Sequence, residues 1–412
     1  MHNAFYQQNR QELFKKLPEA SIFVVRSGDL IHRTADDYFR FFASRSFVYL
    51  TGIDDPDCTL MACRLHGEVV VTLFIRDPDP VAEIRGGRRI TAAEAVAKSG
   101  IAGVKCASEF PQAFHRLAND CYFTEIHLVL ETNIGQEQTD QNRLFCRTAA
   151  EKYPNLAIKN AFPQIALQRT HKFPHEIANI MEAMKITREG ILRMMRAARR
   201  ATCEMDLYAE FMHVIHRHGM VEPAFQPIVS CGKNNFYLHY GTPTGALADG
   251  ELCLADVGAI VDFCCVDISR VFPRSGRFSE LQKSVYQVAL QVNDYITDNI
   301  KPGMPFFTID RLCREKSFEG LKALGLLADM GDIEKYVWHG CTHHVGLDVH
   351  DVGTYHLPIE ENMVFTVDTG IYIREWNIGM RIEDNVLVTA KGLKRLSGDI
   401  PRTVREIEEA MA

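Results

Sequence analysis

Short apolar runs punctuate the first part of the chain. SIFVV (21–25), FVYLTG (47–52), CTLMACR (58–64), EVVVTLFI (68–75) and IHLVLE (126–131) are rich in β-branched and aromatic residues and predict strands. Between them, TAAEAVAKSG (91–100) predicts a helix that closes on Gly100. Strands interleaved with helices predict an α/β layer. The pattern changes near His171-Lys172-Phe173-Pro174. From Glu176 to about His218 the chain is rich in Ala, Met, Leu, Glu and Arg, which predicts two helices. From Phe225 onward strand-like runs return around a helical block at about 279–330. The break near 165–172 predicts two domains, 1–165 and 166–412, as does a length of 412 residues.

Composition narrows the class. Hydrophobic residues make up 46% and charged residues 24%, the balance of a soluble globular enzyme. A net charge of −7 favours neither nucleic acid nor an anionic membrane as partner. No window approaches the roughly 18 apolar residues of a membrane span. The opening MHNAFYQQNRQELFKK carries no apolar signal core, so the expected compartment is the cytoplasm. The twelve cysteines are scattered, without C-x-x-C spacing, and read as reduced, mostly buried thiols. Arg188, Arg193, Arg196, Arg199 and Arg200 read as a solvated helix face rather than a binding surface. The aromatic run Tyr38–Phe42 reads as core, with a subunit interface as the alternative.

Candidate chemistry concentrates late in the chain. WHGCTHHVGLDVH (338–350) holds His339, His343, His344 and His350, residues suited to binding metal or carrying protons. A helical zinc-protease motif is excluded, because Gly340 rather than Glu follows His339. In LADVGAIVDFCCVDISRVFP (254–273), Asp256 and Asp267 lie in apolar surroundings, where a carboxylate is costly unless paired or bound to metal. A hairpin turning at Val261-Asp262 would set them face to face, roughly 5 Å apart at Cβ. On that segment alone, a metal site and an ordinary hairpin with surface aspartates both stand. NMVFTVDTGIYI (362–373) adds Asp368, and GMRIEDNVLVT (379–389) puts Arg381 and Glu383 on one face. Four carboxylates with one imidazole suit two divalent ions, manganese or a similar oxygen-preferring metal. Two metals sharing carboxylates hold a bridging hydroxide and stabilise the oxyanion that it creates.

The ordered set LHY (238–240), DVGA with Asp256 and Asp267, HGCTHHVGLDVHDVG (339–353), VDTGIYI (367–373) and GMRIEDN (379–385) resembles the pita-bread metallopeptidases, in the aminopeptidase P and prolidase branch. HRTADDYFRFFASRSFVYLTGIDDPDCTL (32–60) resembles the aminopeptidase P N-terminal domain, and RTHKFPHEIANIMEAMKIT (169–187) the opening of the catalytic domain. The resemblance implies an α/β N-terminal domain and an α+β pita-bread catalytic domain. It also implies metal-dependent hydrolysis of the bond preceding proline in short proline-containing peptides, and homodimers or homotetramers. It places metal ligands at Asp256, Asp267, His343, Asp368 and Glu383, for two ions, manganese foremost, with cobalt or zinc as alternatives. His239 and His350 would meet the substrate carbonyls and the developing oxyanion, His339 would line the proline pocket, and Arg381 would orient Glu383 and its neighbours. His344 reads as a packed loop histidine.

The chain departs from the family at Asp368-Thr369, where glutamate and proline are usual. The family's glutamate also carries a proton. Aspartate is shorter by about 1.5 Å, and a misplacement near 1 Å can cost on the order of a hundredfold in rate. Phe42-Ala43-Ser44 stands where an Arg-Gln-Asp-like run is common, and the link Arg374 to Ile378 is short. The alternatives to an Xaa-Pro aminopeptidase are a prolidase restricted to dipeptides, a creatinase-like hydrolase of another C–N bond, and a non-catalytic binding module.

Overall fold

The computed structural model describes residues 3–132 and 140–412. Two compact units emerge, Met1–Gln168 and Arg169–Ala412.

The first unit is built on a six-stranded mixed sheet. Its strands are β1 (Ser21–Arg26), β2 (Thr59–Leu65), β3 (Glu68–Ile75), β4 (Val104–Cys106), β5 (Glu125–Leu128) and β6 (Ala157–Asn160), in the order β4-β3-β2-β1-β5-β6. β1–β2 and β2–β3 are antiparallel and the outer pairings are parallel. One face buries Ile22, Val24, Phe74, Ile126 and Leu128 against Phe110 and Phe114 of the helix Phe110–Ala118. The helix Ala92–Ser99 starts at a capping box between Thr91 and Glu94 and ends at Gly100 in the left-handed conformation.

Two expectations fail here. FVYLTG forms not a strand but most of the helix Arg45–Thr51. Ser46 to Thr51 are all buried, so neither a two-fold nor a 3.6-fold polar rhythm could show. Asn9 and Arg10 donate to the carbonyls of Tyr49 and Leu50, satisfying the end of the helix. Gly52 closes it at φ 70°, where a Cβ would lie 2.2 Å from the Tyr6 ring. The run Tyr38–Phe42 is not core either: Tyr38, Phe39 and Phe42 are 43–55% exposed.

The second unit is α+β. β7 (Ile228–Cys231), β8 (Leu252–Val257) and β11 (Ile268–Pro273) form one antiparallel sheet. Between β8 and β11 lies a small hairpin of β9 (Ile260–Val261) and β10 (Cys264–Cys265). A second sheet joins β12 (Val364–Ile373), β13 (Ile378–Thr389) and β14 (Gly392–Arg395). The helices Pro174–Ala197, Glu204–Arg217, Glu280–Asn299 and Thr308–Ala323 complete it. Arg270 of β11 donates to the Glu383 carbonyl of β13 and Asp267 exchanges two hydrogen bonds with Asn385, which ties the sheets together. Among the described residues no helix is long and apolar enough to cross a membrane, and the twelve cysteines are free thiols.

Candidate active site

The hairpin at 254–273 forms, but it turns one residue later than expected. Asp262 and Phe263 occupy the turn with φ 44° and 66°, the positive angles that a two-residue type I′ turn requires. Moving the turn by one shifts the register by two. Asp256 therefore faces Ser269, not Asp267. Asp267 lies diagonally, still on the same face, because side chains repeat every two residues. In the second sheet Asp368 stands directly opposite Glu383, and Gly370 opposite Arg381.

The two sheets and the 338–353 loop bring these groups together. Carboxylate oxygens of Asp256, Asp267 and Glu383 lie within 4.8 Å of one another, and so do ligand atoms of Asp267, His343 and His350. His343 donates Nδ1–H to the His344 carbonyl at 3.2 Å, which leaves Nε2 facing Asp267 Oδ2 at 3.4 Å and Glu383 Oε1 at 3.5 Å. Asp368 joins neither group at that spacing; its Oδ2 lies 3.4 Å from His339 Nδ1. His239 approaches from its own loop, its ring 6.3 Å from that of His350. The buried Glu204 carboxylate holds that loop, accepting from Cys231 N, Asn234 Nδ2 and Gly245 N at 2.7–2.8 Å. His344 packs against Phe306 and Tyr355, fully buried.

Arg381 was expected to orient Glu383 and its neighbours. Its guanidinium donates directly to the neighbour Asp256, at Oδ2 and 2.6 Å, and it reaches Glu383 through Ser269, whose Oγ donates to Glu383 Oε2 at 3.0 Å. The side-chain charge of Asp256 is the nearer demand.

The site is electrostatically unfinished. Asp256 Oδ1, Asp267 Oδ1, Asp368 Oδ1 and Glu383 Oε1 are all buried without a hydrogen-bond partner. Burial, then repulsion from Glu383, lifts the Asp267 and Asp368 carboxyls well above their ordinary range. Burial likewise raises Asp256, against the pull of Arg381. Burial alone would disfavour an imidazolium at His343, but the facing carboxylates of Asp267 and Glu383 raise it well above its ordinary value. Unmatched buried oxygens on four carboxylates, beside an imidazole with one free nitrogen, fit hard divalent cations.

The residue that sequence reasoning missed is Tyr372. Its hydroxyl meets His339 Nε2 at 2.9 Å and accepts from Arg381 Nη1 at 3.4 Å, while its ring stacks on Trp338 with centroids 4.5 Å apart. The signal was present: Asp368, Gly370 and Tyr372 alternate along β12 and so share a face. Beside the acids, a cavity of about 230 Å³ is bounded by Phe225, Ile228 and Val349 and by His239, Asp256 and His350.

Clustered acids and histidines where two antiparallel sheets meet define a metallohydrolase-type centre. The family is specific: the chain belongs to metallopeptidase family M24, whose profile matches residues 178–390, and the aminopeptidase P N-terminal domain matches 6–127. It is 28% identical to an Xaa-Pro aminopeptidase of Haemophilus influenzae over 98% of this chain and 96% of that protein. A Bacillus anthracis structure assigned to aminopeptidase P superposes with a TM-score of 0.97 at 37% identity, covering 100% of this chain and 98% of that one. Aminopeptidase P of E. coli with the inhibitor Pro-Leu gives 0.91 at 27% identity, with the same coverage. The fold is therefore the aminopeptidase P N-terminal domain followed by the pita-bread catalytic domain.

Proposed function

We propose that the protein is a metal-dependent aminopeptidase that hydrolyses the bond preceding proline at the N-terminus of peptides. Its relatives carry that activity in their names, and the neighbouring E. coli structure holds a Pro-Leu inhibitor. The observation that carries the reading to this chain is the set of four orphaned carboxylate oxygens beside His343.

Asp256, Asp267, His343 and Glu383, with Asp368 from the far side, would hold two divalent ions, manganese first on donor chemistry. Bound there, such ions supply Lewis acidity to the scissile carbonyl and lower the pKa of water. The remaining roles belong to the chain. His239 and His350 stand at the cavity, placed to donate to the substrate carbonyl as negative charge develops on its oxygen. Burial lowers the His350 pKa, so its imidazole is neutral near pH 7 and donates through one N–H. The apolar wall of Phe225, Ile228 and Val349 receives the side chain before proline. His339, Tyr372 and Trp338 form a rigid aromatic surface for the proline ring, which has no N–H to offer a general peptidase site. Asp368, through its unpartnered Oδ1, is placed to carry the proton to the leaving imide nitrogen.

The test is a matched panel given to manganese-loaded protein: an Xaa-Pro dipeptide, an Xaa-Pro-Xaa tripeptide and a proline-free tripeptide, read by mass spectrometry. Release of the first residue from the proline tripeptide alone, or from it and the dipeptide, is expected. Dipeptide-only cleavage would redirect the reading to a prolidase. No cleavage with metals bound would defeat it.

A further inference from the structure

His350 stands at the cavity, yet among the described residues nothing hydrogen-bonds to its side chain; its ring abuts that of His343 at 4.4 Å and that of His239 at 6.3 Å, and a ring nitrogen comes within 4.8 Å of an Asp267 oxygen. His343 and His339, by contrast, are each fixed through ring nitrogens. The placement of His350 therefore depends on the backbone that carries it. That backbone is clamped one residue further on. Asp351 is buried, and both its oxygens are taken: Oδ1 by Arg169 Nη2 at 2.5 Å, Oδ2 by Lys172 Nζ at 2.9 Å. Arg169 also reaches Asp348 Oδ2 at 2.8 Å, and Lys172 donates to the Arg169 carbonyl at 2.6 Å. The two cations are 1% and 3% exposed. They hold the Asp351 carboxyl below its ordinary pKa although burial pushes the other way. The 345–353 loop is built against this cluster: a Cβ on Gly346 would lie 2.1 Å from Asp351 Oδ2 and 2.7 Å from Lys172 Nζ.

A buried ion cluster rarely stabilises a fold more than apolar packing of the same volume would, but it is directional. Here the direction it fixes is that of the loop bearing His350. We propose that Lys172 and Arg169, acting through Asp351, are positioning residues that set His350 for the reaction. This deepens the peptidase reading above and rests on it. A deleted partner at this remove costs roughly 10–100-fold when it orients a reacting group. The clamp touches no proposed metal ligand, so metal loading should not change.

The experiment is a double-mutant cycle on the metal-loaded enzyme, with hydrolysis of an Xaa-Pro-Xaa tripeptide as readout. Lys172→Met should lower kcat on the order of 30-fold with KM and metal content little changed. In a His350→Ala background the same substitution should cost less than about twofold, because its route of action is gone. Lys172→Gln, which keeps an N–H donor, should fall between wild type and Lys172→Met, and it serves as the cycle variant if Lys172→Met does not fold. Hydrogen exchange should speed up in 345–353 and not elsewhere in the catalytic unit. If the two losses multiply, or if kcat is unchanged, the positioning role is overturned while the peptidase reading stands. An inert wild-type enzyme overturns that reading and this proposal with it.

Discussion

Glu383 and Asp384 are neighbours on β13, and successive side chains of a strand leave it in opposite directions. Both are buried carboxylates, yet their surroundings differ sharply. Asp384 accepts from Arg270 Nη2 at 2.6 Å, Ser397 Oγ at 2.5 Å and Arg395 Nε at 3.1 Å, with Arg402 at 3.5 Å. Against the cost of burial, these arginines hold its pKa down to about 2. Glu383, one residue earlier, lies close to the Asp256 and Asp267 carboxylates and opposite Asp368 across the strands, and it keeps one oxygen without a partner. One face of the strand brings its own cations. The other gathers four carboxylates around a single arginine, Arg381, which pairs with Asp256, and that surplus of negative charge marks the functional face.

The comparison can be broken from either side. On the functional face, Asp267→Asn should cut kcat/KM by on the order of a thousandfold through lost metal binding, since the ligand charge goes with the lost activity. The metal-free variant should nonetheless melt no lower than metal-free wild type, because a carboxyl destabilised by burial and by Glu383 has been neutralised. Metal analysis and calorimetry check both halves. On the structural face the pattern inverts. Asp384→Asn leaves fully buried Arg270 without its counter-ion and should lose on the order of 3 kcal/mol in denaturant unfolding, while molecules that remain folded still bind metal.

A smaller change sharpens the functional side. Asp368→Glu restores the usual family residue, but the side chain would extend toward His339, already 3.4 Å from Asp368 Oδ2. Kcat should therefore fall about tenfold rather than rise. A rise would mean that the shorter acid is a defect for proline-directed hydrolysis. The smallest expected effect concerns pH. A carboxyl whose folded pKa is depressed contributes stability above its unfolded pKa and loses it as pH falls through the folded value. Asp384 should thus support the fold undiminished at pH 5, with the contribution fading below about 3.9 toward about 2. Unfolding of wild type and Asp384→Asn at pH 5 and pH 3 should show their stability difference shrinking at the lower pH.

Much of this was legible in the chain. Four acids, Asp256, Asp267, Asp368 and Glu383, with a histidine-rich segment pointed to a metal centre before any geometry was known, because ligand chemistry restricts residue types, and the family resemblance supplied His343 as the imidazole among them. The strands at 21–26, 59–65 and 68–75 and the helix Ala92–Ser99 followed from local pattern and caps, which act over a few residues. The tertiary structure decided what depends on distant partners. It made FVYLTG a helix, since full burial erases the polar rhythm that separates helix from strand. It placed the hairpin turn at Asp262-Phe263 and so made Asp256 and Asp267 diagonal neighbours, because register is set by turn geometry and by which face is covered. It also sent Arg381 to Asp256 and put Tyr372 between His339 and Arg381, contacts between residues far apart in sequence. Residue types and their order sufficed for the chemistry; which carboxylate received a cation from the chain and which did not was settled only when the two sheets met.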